Sequence, residues 1–416
     1  MKQGWEIKKL GETVDVLDNL RKPITKRDRI EGEYPYYGAT GILSYVHNYI
    51  FSEKLVLIGE DGAKWLSGDN TSFIADGKYW VNNHAHVIRP KRKIILDEWI
   101  VYFLNFSDLT PFITGMTVPK LNQEKMRSIP IPLPPLPTQQ RIVAILDEAF
   151  AAIAKAKANA QQNLQNAKEL FESYLQGVFE NKGEGWEEKT IKEVTTVLGD
   201  GLHGTPKYTI EGEYHFINGN NLTDGVIELK ENTKRVSVEE YNKYKKNLTD
   251  RTVLVSINGT LGNVAFYNGE KIILGKSACY FNLKDSVDKA FVKYVLTSPY
   301  FLQYAHKEAT GATIKNVSLK TMREFIVPFP ALKTQQTIVK KLDALSAETK
   351  KLESIYQQKI NDLEEFKKSV LQKAFSGELK VSELGFVGLK DDKIIEKGKK
   401  KIIQSSNLNS DKKEKV

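Results

Sequence analysis

Residues 129–143, IPIPLPPLPTQQRIV, return as residues 325–339, FIVPFPALKTQQTIV, 196 positions later. Proline has no amide to donate, so each Pro-rich stretch reads as an edge strand and not as helix interior. The Thr-Gln-Gln closing each copy opens a long segment of helix-forming residues. Working outward, the same offset holds without a gap from Thr114-Gly115-Met116-Thr117 against Thr310-Gly311-Ala312-Thr313 to Ser173, Leu175, Gln176 and Phe179 against Ser369, Leu371, Gln372 and Phe375. On the way it pairs Met126-Arg127 with Met322-Arg323 and Leu146-Asp147 with Leu342-Asp343. The opening ends match too, Gly4-Trp5-Glu6 facing Gly185-Trp186-Glu187, whereas between them the offset moves from 180 at Glu31 to 193 at Ala85 and the halves diverge. A repeat this long fixes the architecture before any local reading. Shared edges with different middles are the pattern of one scaffold presenting two different readers.

Thr138, after Pro137, is the expected N-cap of a helix reaching Phe179, with Thr334 its counterpart. Ala, Gln, Lys and Glu dominate, and the first helix meets no glycine before Gly177. Apolar positions step by four and three. One stripe runs Ile142, Leu146, Ala149, Ile153, Ala156, Ala160, Asn163, Ala167, Leu170, Tyr174; the other runs Ile338, Leu342, Leu345, Thr349, Leu352, Tyr356, Leu363, Phe366, Val370. Small alanines facing larger residues are what close helix pairing needs. At 1.5 Å per residue, each helix makes a rod of roughly 60 Å.

The expected organisation is α+β: a first mixed domain over 1–135, a long helix over 136–182, a second mixed domain over 183–333, a second helix over 334–377, and a basic flexible tail over 378–416. Within the domains, Leu55–Gly59 and Thr252–Gly259 read as strands, Asn263–Leu274 as a hairpin turning at Asn268-Gly269, and Asp97–Asn105 and Asp288–Tyr304 as helices. Asn122 and Ser318 are expected helix caps.

With 416 residues, 41% of them hydrophobic, the chain can bury more than one core. Its 61 basic and 52 acidic residues give a net charge of +9, of which ten Lys and seven acidic residues from Glu378 onward supply +3. That balance favours an anionic partner, so a nucleic-acid surface has to come from local clustering. A single cysteine, Cys279, excludes an internal disulfide or a multi-cysteine metal site and fits a buried apolar position in a reducing cytoplasm. No stretch approaches the roughly 18 apolar residues of a membrane span, so no membrane partner is expected.

Motifs for catalysis are missing. Gly275-Lys276-Ser277 follows Gly269 at the wrong spacing for a phosphate loop and belongs to a strand. Asp224 with Glu228 and Lys230 mimics a nuclease triad, but the four-residue gap fits charged residues around a turn. No Asn-Pro-Pro-Phe type run exists to hold a flipped adenine. His84, His86, His203 and His215 have no partners at metal-ligand spacing, so no metal is expected.

Two Pro-rich strands, each running into Thr-Gln-Gln-x-Ile-Val-x-x-Leu-Asp behind a variable domain opened by Gly-Trp-Glu, resemble the specificity subunits of type I restriction-modification systems. Gly199-Asp200-Gly201-Leu202-His203-Gly204-Thr205-Pro206 is similar to a recurring opening of that family's recognition domains, an opening the first domain lacks. The resemblance implies two target recognition domains, each reading half of a split double-stranded DNA site, and two antiparallel helices acting as spacer. It implies docking to two methyltransferase subunits and to restriction subunits. S-adenosylmethionine, ATP and magnesium would belong to those partners, with no cofactor in this chain. A second class stays open: a non-enzymatic adaptor whose tandem domains bind proteins and whose coiled coil dimerises.

Side chains able to read bases or hold phosphates mark the candidate DNA contacts. In the first domain these are Arg21, Lys22, Lys26, Arg27 and Arg29, with Asn82, Asn83, His84, Thr114 and Lys120. In the second they are His203, Thr205, Lys207, Tyr208, Asn218, Asn220 and Asn221, with Thr310, Lys315 and Asn316. Helix pairing is assigned to Ile142, Leu146, Ile153, Leu170, Ile338, Leu342, Leu345, Leu352, Leu363 and Phe366. Because the catalytic motifs are missing, the purified chain is expected neither to methylate nor to cut DNA until partner subunits are added. Methyl transfer from radiolabelled S-adenosylmethionine by the isolated chain would show otherwise.

Overall fold

The computed structural model describes residues 4–379, so all of the tail expected over 378–416 except Glu378 and Leu379 lies outside the described residues. The described residues form two compact units, 4–161 with 356–379 and 162–355. Their boundaries fall inside the long helices, so each unit holds one mixed domain, the start of the helix that follows it and part of the other helix.

In the first unit the run Leu55–Gly59 is apolar throughout and buried throughout, the mark of a strand covered on both faces. It pairs antiparallel with Ser72–Ala75 on one side and Ala85–Pro90 on the other, and Val14–Val16 completes the four-stranded sheet. A second sheet orders Gly41–Val46, Tyr34–Gly38, Lys78–Val81 and Phe51–Ser52, with a parallel pair in the middle. The second unit repeats this plan. Thr195–Asp200, Ala278–Leu283, Thr252–Ser256 and Val264–Phe266 form its antiparallel sheet, and Tyr214–Ile217 pairs parallel with Ile272–Leu274 in the other. It alone carries the small hairpin Leu222–Thr223 with Val226–Ile227.

The shared edges of the two halves meet in space. Glu6–Lys9 pairs antiparallel with the Pro-rich Pro130–Leu133, and Glu187–Thr190 with Ile326–Phe329. From each ribbon the chain enters a 45-residue helix, Leu136–Glu180 and Leu332–Ser376. Both helices begin two residues before the expected caps. Thr138 and Thr334 sit in the first turn, their amides donating 2.8 Å to the carbonyls of Pro135 and Ala331.

The repeated glutamine explains the repeated motif. Gln139 is fully buried; its Oε1 accepts from the Leu96 amide at 3.0 Å, and its Nε2 donates to the carbonyls of Ile94 and Pro134 at 2.8 and 2.9 Å. Gln335 does the same with the Asp288 amide and the carbonyls of Ser286 and Pro330. About two turns further on, the hydroxyl of Tyr102 donates to Asp147, and that of Tyr294 donates to Asp343 at 2.6 Å.

Helix pairing runs antiparallel inside each unit. In the first, Ile142, Val143 and Leu146 at the start of one helix share a core with Val370, Leu371, Ala374 and Phe375 at the end of the other, and Lys157 pairs with Glu364. In the second, Val339 and Leu342 share a core with Leu175 and Phe179. Phe375 meets Trp99 edge-on at 4.9 Å between ring centres, and Phe179 meets Phe291 at 5.6 Å. Ile153, Leu345, Leu352 and Leu363 are buried as assigned, with Ile338 and Phe366 packed against the two cores. Leu170 is a correction: it stands 36% exposed, and Phe171 and Leu175 join the expected Tyr174 in the seam instead. An α-helix drifts about 20° per heptad from a strict 3.5 repeat, which moves the buried stripe by one position late in the helix.

Two further expectations change. The segment 288–304 is two helices, Lys289–Thr297 and Pro299–Glu308, broken where Pro299 has no amide to continue the ladder and Ser298 caps the second. Asn268-Gly269 does not close a hairpin: Val264–Phe266 and Ile272–Leu274 belong to different sheets, and the turn carries the chain between them. Cys279 is fully buried, as expected, and burial pushes its thiol pKa up. Asn122 and Ser318 accept from the amides of Lys125 and Thr321 as caps.

Leu342 is fully buried between domain and helix. Leu342→Asp is therefore expected to lose several kcal/mol of stability by burying an unpaired carboxylate, while Lys341→Asp on the exposed face changes it by less than about 0.5 kcal/mol. Chemical denaturation of the two variants against the unsubstituted chain measures the difference.

Candidate nucleic-acid interface

Strand register sets the two domains in correspondence. Ile88 and Phe281 hold the same place in their sheets, opposite Val56 and Val253, and their other partners are Val16 and Leu198. Two residues on lie Asp18 and Asp200. Past the two aspartates the loops differ in length: the amides of Lys22 and Leu202 donate to Val81 and Leu274, which hold matching places, so Lys22, four residues after Asp18, stands where Leu202, two residues after Asp200, stands. Arg21 and His203 each pair with the aspartate three residues earlier, at 3.6 and 2.6 Å.

Backbone hydrogen bonds draw four loops together at this end of each domain. In the first, the Lys22 amide donates to the Val81 carbonyl at 3.2 Å, the Glu60 amide to His84 at 2.9 Å and the Leu121 amide to Glu60 at 2.8 Å. In the second, Leu202 donates to Leu274, Lys276 to Leu202, Ile257 to Ser277 and Val317 to Ile257, at 2.7 to 3.0 Å. Asn82-Asn83-His84 therefore matches Gly275-Lys276-Ser277, and Asp61 matches Asn258. Isolated bridges join Asp61 to Lys120 and Asn258 to Asn316.

On this common frame the side chains differ. The first domain offers exposed Lys22, Asn83 and His84, with His84 paired to Asp61. The second offers exposed His203, Thr205, Asn220, Lys276 and Lys315. Lys276 is not among the contacts expected from the sequence, where Gly275-Lys276-Ser277 reads as part of a strand. That segment is instead the turn between two sheets, which points its lysine outward. Lys207 and Tyr208 are also exposed, the Tyr208 ring lying 5.9 Å from Phe216.

Several candidates are committed elsewhere. Arg21 donates to Glu60, to the carbonyl of Ala85 at 2.8 Å and to that of Asp18 at 3.2 Å. Asn82 is buried and accepts from the His84 amide; Asn221 is buried and bonds the Asn218 amide and the Glu228 carbonyl. Asn218 accepts from the Ser277 hydroxyl at 3.0 Å. Thr114 and Thr310 donate across the necks of their loops, to the carbonyls of Lys120 and Asn316. Arg29 lies 4.5 Å over the Tyr36 ring and donates to the Ile24 carbonyl, whereas Lys26 and Arg27 stand exposed on the turn Lys26–Asp28.

His86 corrects the expectation that it has no partners at metal-ligand spacing. Its Nδ1 lies 2.6 Å from Asp18, its Nε2 lies 2.7 Å from the Leu121 carbonyl, and Asp18, Glu60 and His86 place ligand atoms within 4.8 Å of one another. Arg21 and Lys120 pair with Glu60, Arg21 also lies 3.6 Å from Asp18, and Gln123 donates to Asp18, so protein groups already pair both carboxylates. The same positions in the second domain are apolar, with Ile257 for Glu60 and Cys279 for His86. Burial alone would raise Asp18, but hydrogen bonds from His86 and Gln123 and the charge of His86 outweigh it and hold its pKa below the usual carboxylate value. The concavity lined by Thr40, Gly41, Ser72, Phe73, Glu98 and Tyr102 has no basic side chain to grip a phosphate.

The family model for the type I restriction modification DNA specificity domain matches twice, over residues 2–164 and 183–365. The chain belongs to this family. It is 28% identical over 358 residues to a putative type I restriction enzyme specificity subunit of Haemophilus influenzae, covering 82% of this chain and 88% of that one. It is 23% identical over 412 residues to the type I restriction enzyme MjaVIII specificity subunit of Methanocaldococcus jannaschii, covering 92% and 95%. Among solved structures, a chain from work on the complex assembly and conformational transition of the type I R-M system superposes with a TM-score of 0.72 at 20% identity, over 91% of this chain and 99% of that one. The crystal structure of the HsdS subunit from Thermoanaerobacter tengcongensis gives 0.58 at 18%, over 91% and 98%. These two share the fold. Among the described residues no helix is long and apolar enough to cross a membrane.

The depressed Asp18 pKa carries a pH signature. Its stabilising contribution is complete above the ordinary carboxylate pKa and is lost as the pH falls through the lowered folded value. Asp18→Asn, which leaves Arg21 and His86 facing a neutral amide, is expected to cost about 3 kcal/mol near neutrality and progressively less as the pH falls below the ordinary carboxylate value. Melting curves of both proteins across that range should converge on the acid side.

Proposed function

We infer that this chain is the DNA-reading subunit of a type I restriction-modification complex. Each domain reads one half of an asymmetric, interrupted site in double-stranded DNA through its four converging loops. The single observation carrying this reading is that one backbone frame, fixed by matched hydrogen bonds, presents different polar and basic side chains at matched positions. Divergent side chains on one scaffold support two different half-sites. Lys22, Asn83 and His84 are the leading contacts in the first domain; His203, Asn220, Lys276 and Lys315 lead in the second.

The paired helices act as spacer and as docking surface for two methyltransferase subunits, with restriction subunits joining them. S-adenosylmethionine, ATP and magnesium are held by those partners, and the complex works in the cytoplasm. Reading from one face of B-DNA favours half-site centres about one helical turn, roughly 34 Å, apart. Replacing residues 185–333 with the matching domain of another family member is expected to change one half-site and leave the other intact, as read by methylome sequencing of the host. Both halves changing, a continuous palindromic target, or no methylation dependent on this gene would defeat the reading. The last of these is the outcome that a protein-binding adaptor would give.

A further inference from the structure

Beside the polar contacts, each interface carries an apolar projection that base reading leaves unexplained. Residues 114–120 and 310–316 form two loops of the same build. Thr114 and Lys120 exchange backbone hydrogen bonds of 2.9 and 2.8 Å across the neck of one, and Thr310 and Asn316 exchange the same pair across the other. Gly115 and Gly311 take φ of +90° and +93°, and a Cβ there would fall 2.4 and 2.2 Å from the carbonyl oxygens of Val118 and Ile314. Each tip thus curls tightly onto itself, an arrangement only glycine permits.

The side chains these tips display are apolar. Val118 is 63% and Ile314 60% exposed, and Met116 beside Val118 is fully exposed. The two loops spell their tips differently, Met-Thr-Val against Ala-Thr-Ile, yet keep a β-branched apolar residue at the matched position. Both necks are bonded to the loops that carry the polar contacts, through the Asp61–Lys120 and Asn258–Asn316 bridges and the Gly259 amide donating 2.9 Å to the Lys315 carbonyl. Lys315 flanks the second tip with an exposed charge suited to the phosphate backbone, while Lys120 at the neck of the first is paired with Glu60.

We propose that Val118 and Ile314 are wedges, each entering the duplex at its own half-site and separating a base step so that the base to be modified can leave the stack. Apolar side chains pushed between base pairs unstack and kink DNA, and an enzyme acting on a base has to extract it from the helix first. The proposal rests on the DNA-reading function above and adds to it a role in the modification step distinct from affinity.

The test uses the full chain assembled with its methyltransferase subunits. Its probe is a duplex of the recognised sequence with 2-aminopurine, which brightens on unstacking, in place of the methylated adenine of one half-site. Val118→Ser is expected to dim the probe in the first domain's half-site and, on a separate duplex that keeps adenine at that position, to lower kcat for methylation there about tenfold. The dissociation constant should stay within about threefold, because the phosphate and base contacts remain. The other half-site is unaffected, and Val118→Ile restores the signal. Ile314→Ser gives the mirror result. Unchanged fluorescence and rate, equal loss at both half-sites, or loss of co-purification with the methyltransferase would overturn the wedge; the last would make the tips protein contacts. An unsubstituted complex that leaves DNA unmethylated would overturn the function itself, and the wedge with it.

Discussion

Everything in either half hangs on one buried amide. Gln139 and Gln335 each satisfy three backbone groups that the junction of ribbon, domain and helix would otherwise leave unpaired in the interior. An unsatisfied buried donor or acceptor costs about 1–3 kcal/mol, so no apolar residue of similar size can replace the amide cheaply. The tyrosine-to-aspartate bond about two turns later removes the remaining freedom of rotation about the helix axis. Domain and helix start are thereby one rigid piece. The aromatic contact of Phe375 with Trp99, or Phe179 with Phe291, then fixes the end of the other helix against that piece.

That rigidity lets the outer end of each domain vary. The central strands are buried on both faces and tolerate little change, but the loops that leave them are held by backbone hydrogen bonds that do not depend on side-chain identity. Two solutions to the ground beneath the loops are visible. The first domain stabilises them with an ionic cluster of Asp18, Glu60, His86, Arg21 and Lys120; the second fills the same space with Ile257 and Cys279. A buried charge is tolerable only when it is fully paired, so the members of the first cluster have to be kept or lost together.

The duplication made much of this legible. Matching Thr-Gln-Gln and Leu-Asp runs located both helices and their common role, because a fixed offset over so many residues leaves no other register. Apolar steps of four and three identified most of the seam, and burial of Ile153, Leu345, Leu352 and Leu363 follows from them. The seam was lost only at Leu170, where drift of the helix repeat outweighs the pattern. A local turn signal at Asn268-Gly269 gave a true turn but the wrong partner strands, since pairing is decided by which sheet has an open edge.

By itself the sequence determined the tandem architecture, the long helices and the family, because these rest on periodicity and repetition along the chain. Only the tertiary structure decided which residues are free to meet a ligand. Arg21, Asn82 and Asn221 have the right chemistry for reading bases, yet their hydrogen-bonding groups are committed to atoms as far as 64 positions away. Lys276, Val118 and Ile314 had no distinguishing local pattern, and their exposure follows from which loops the sheets bring to one end. Hydrogen-bond partners and accessible surface are set by contacts distant in sequence, and no local spacing encodes them.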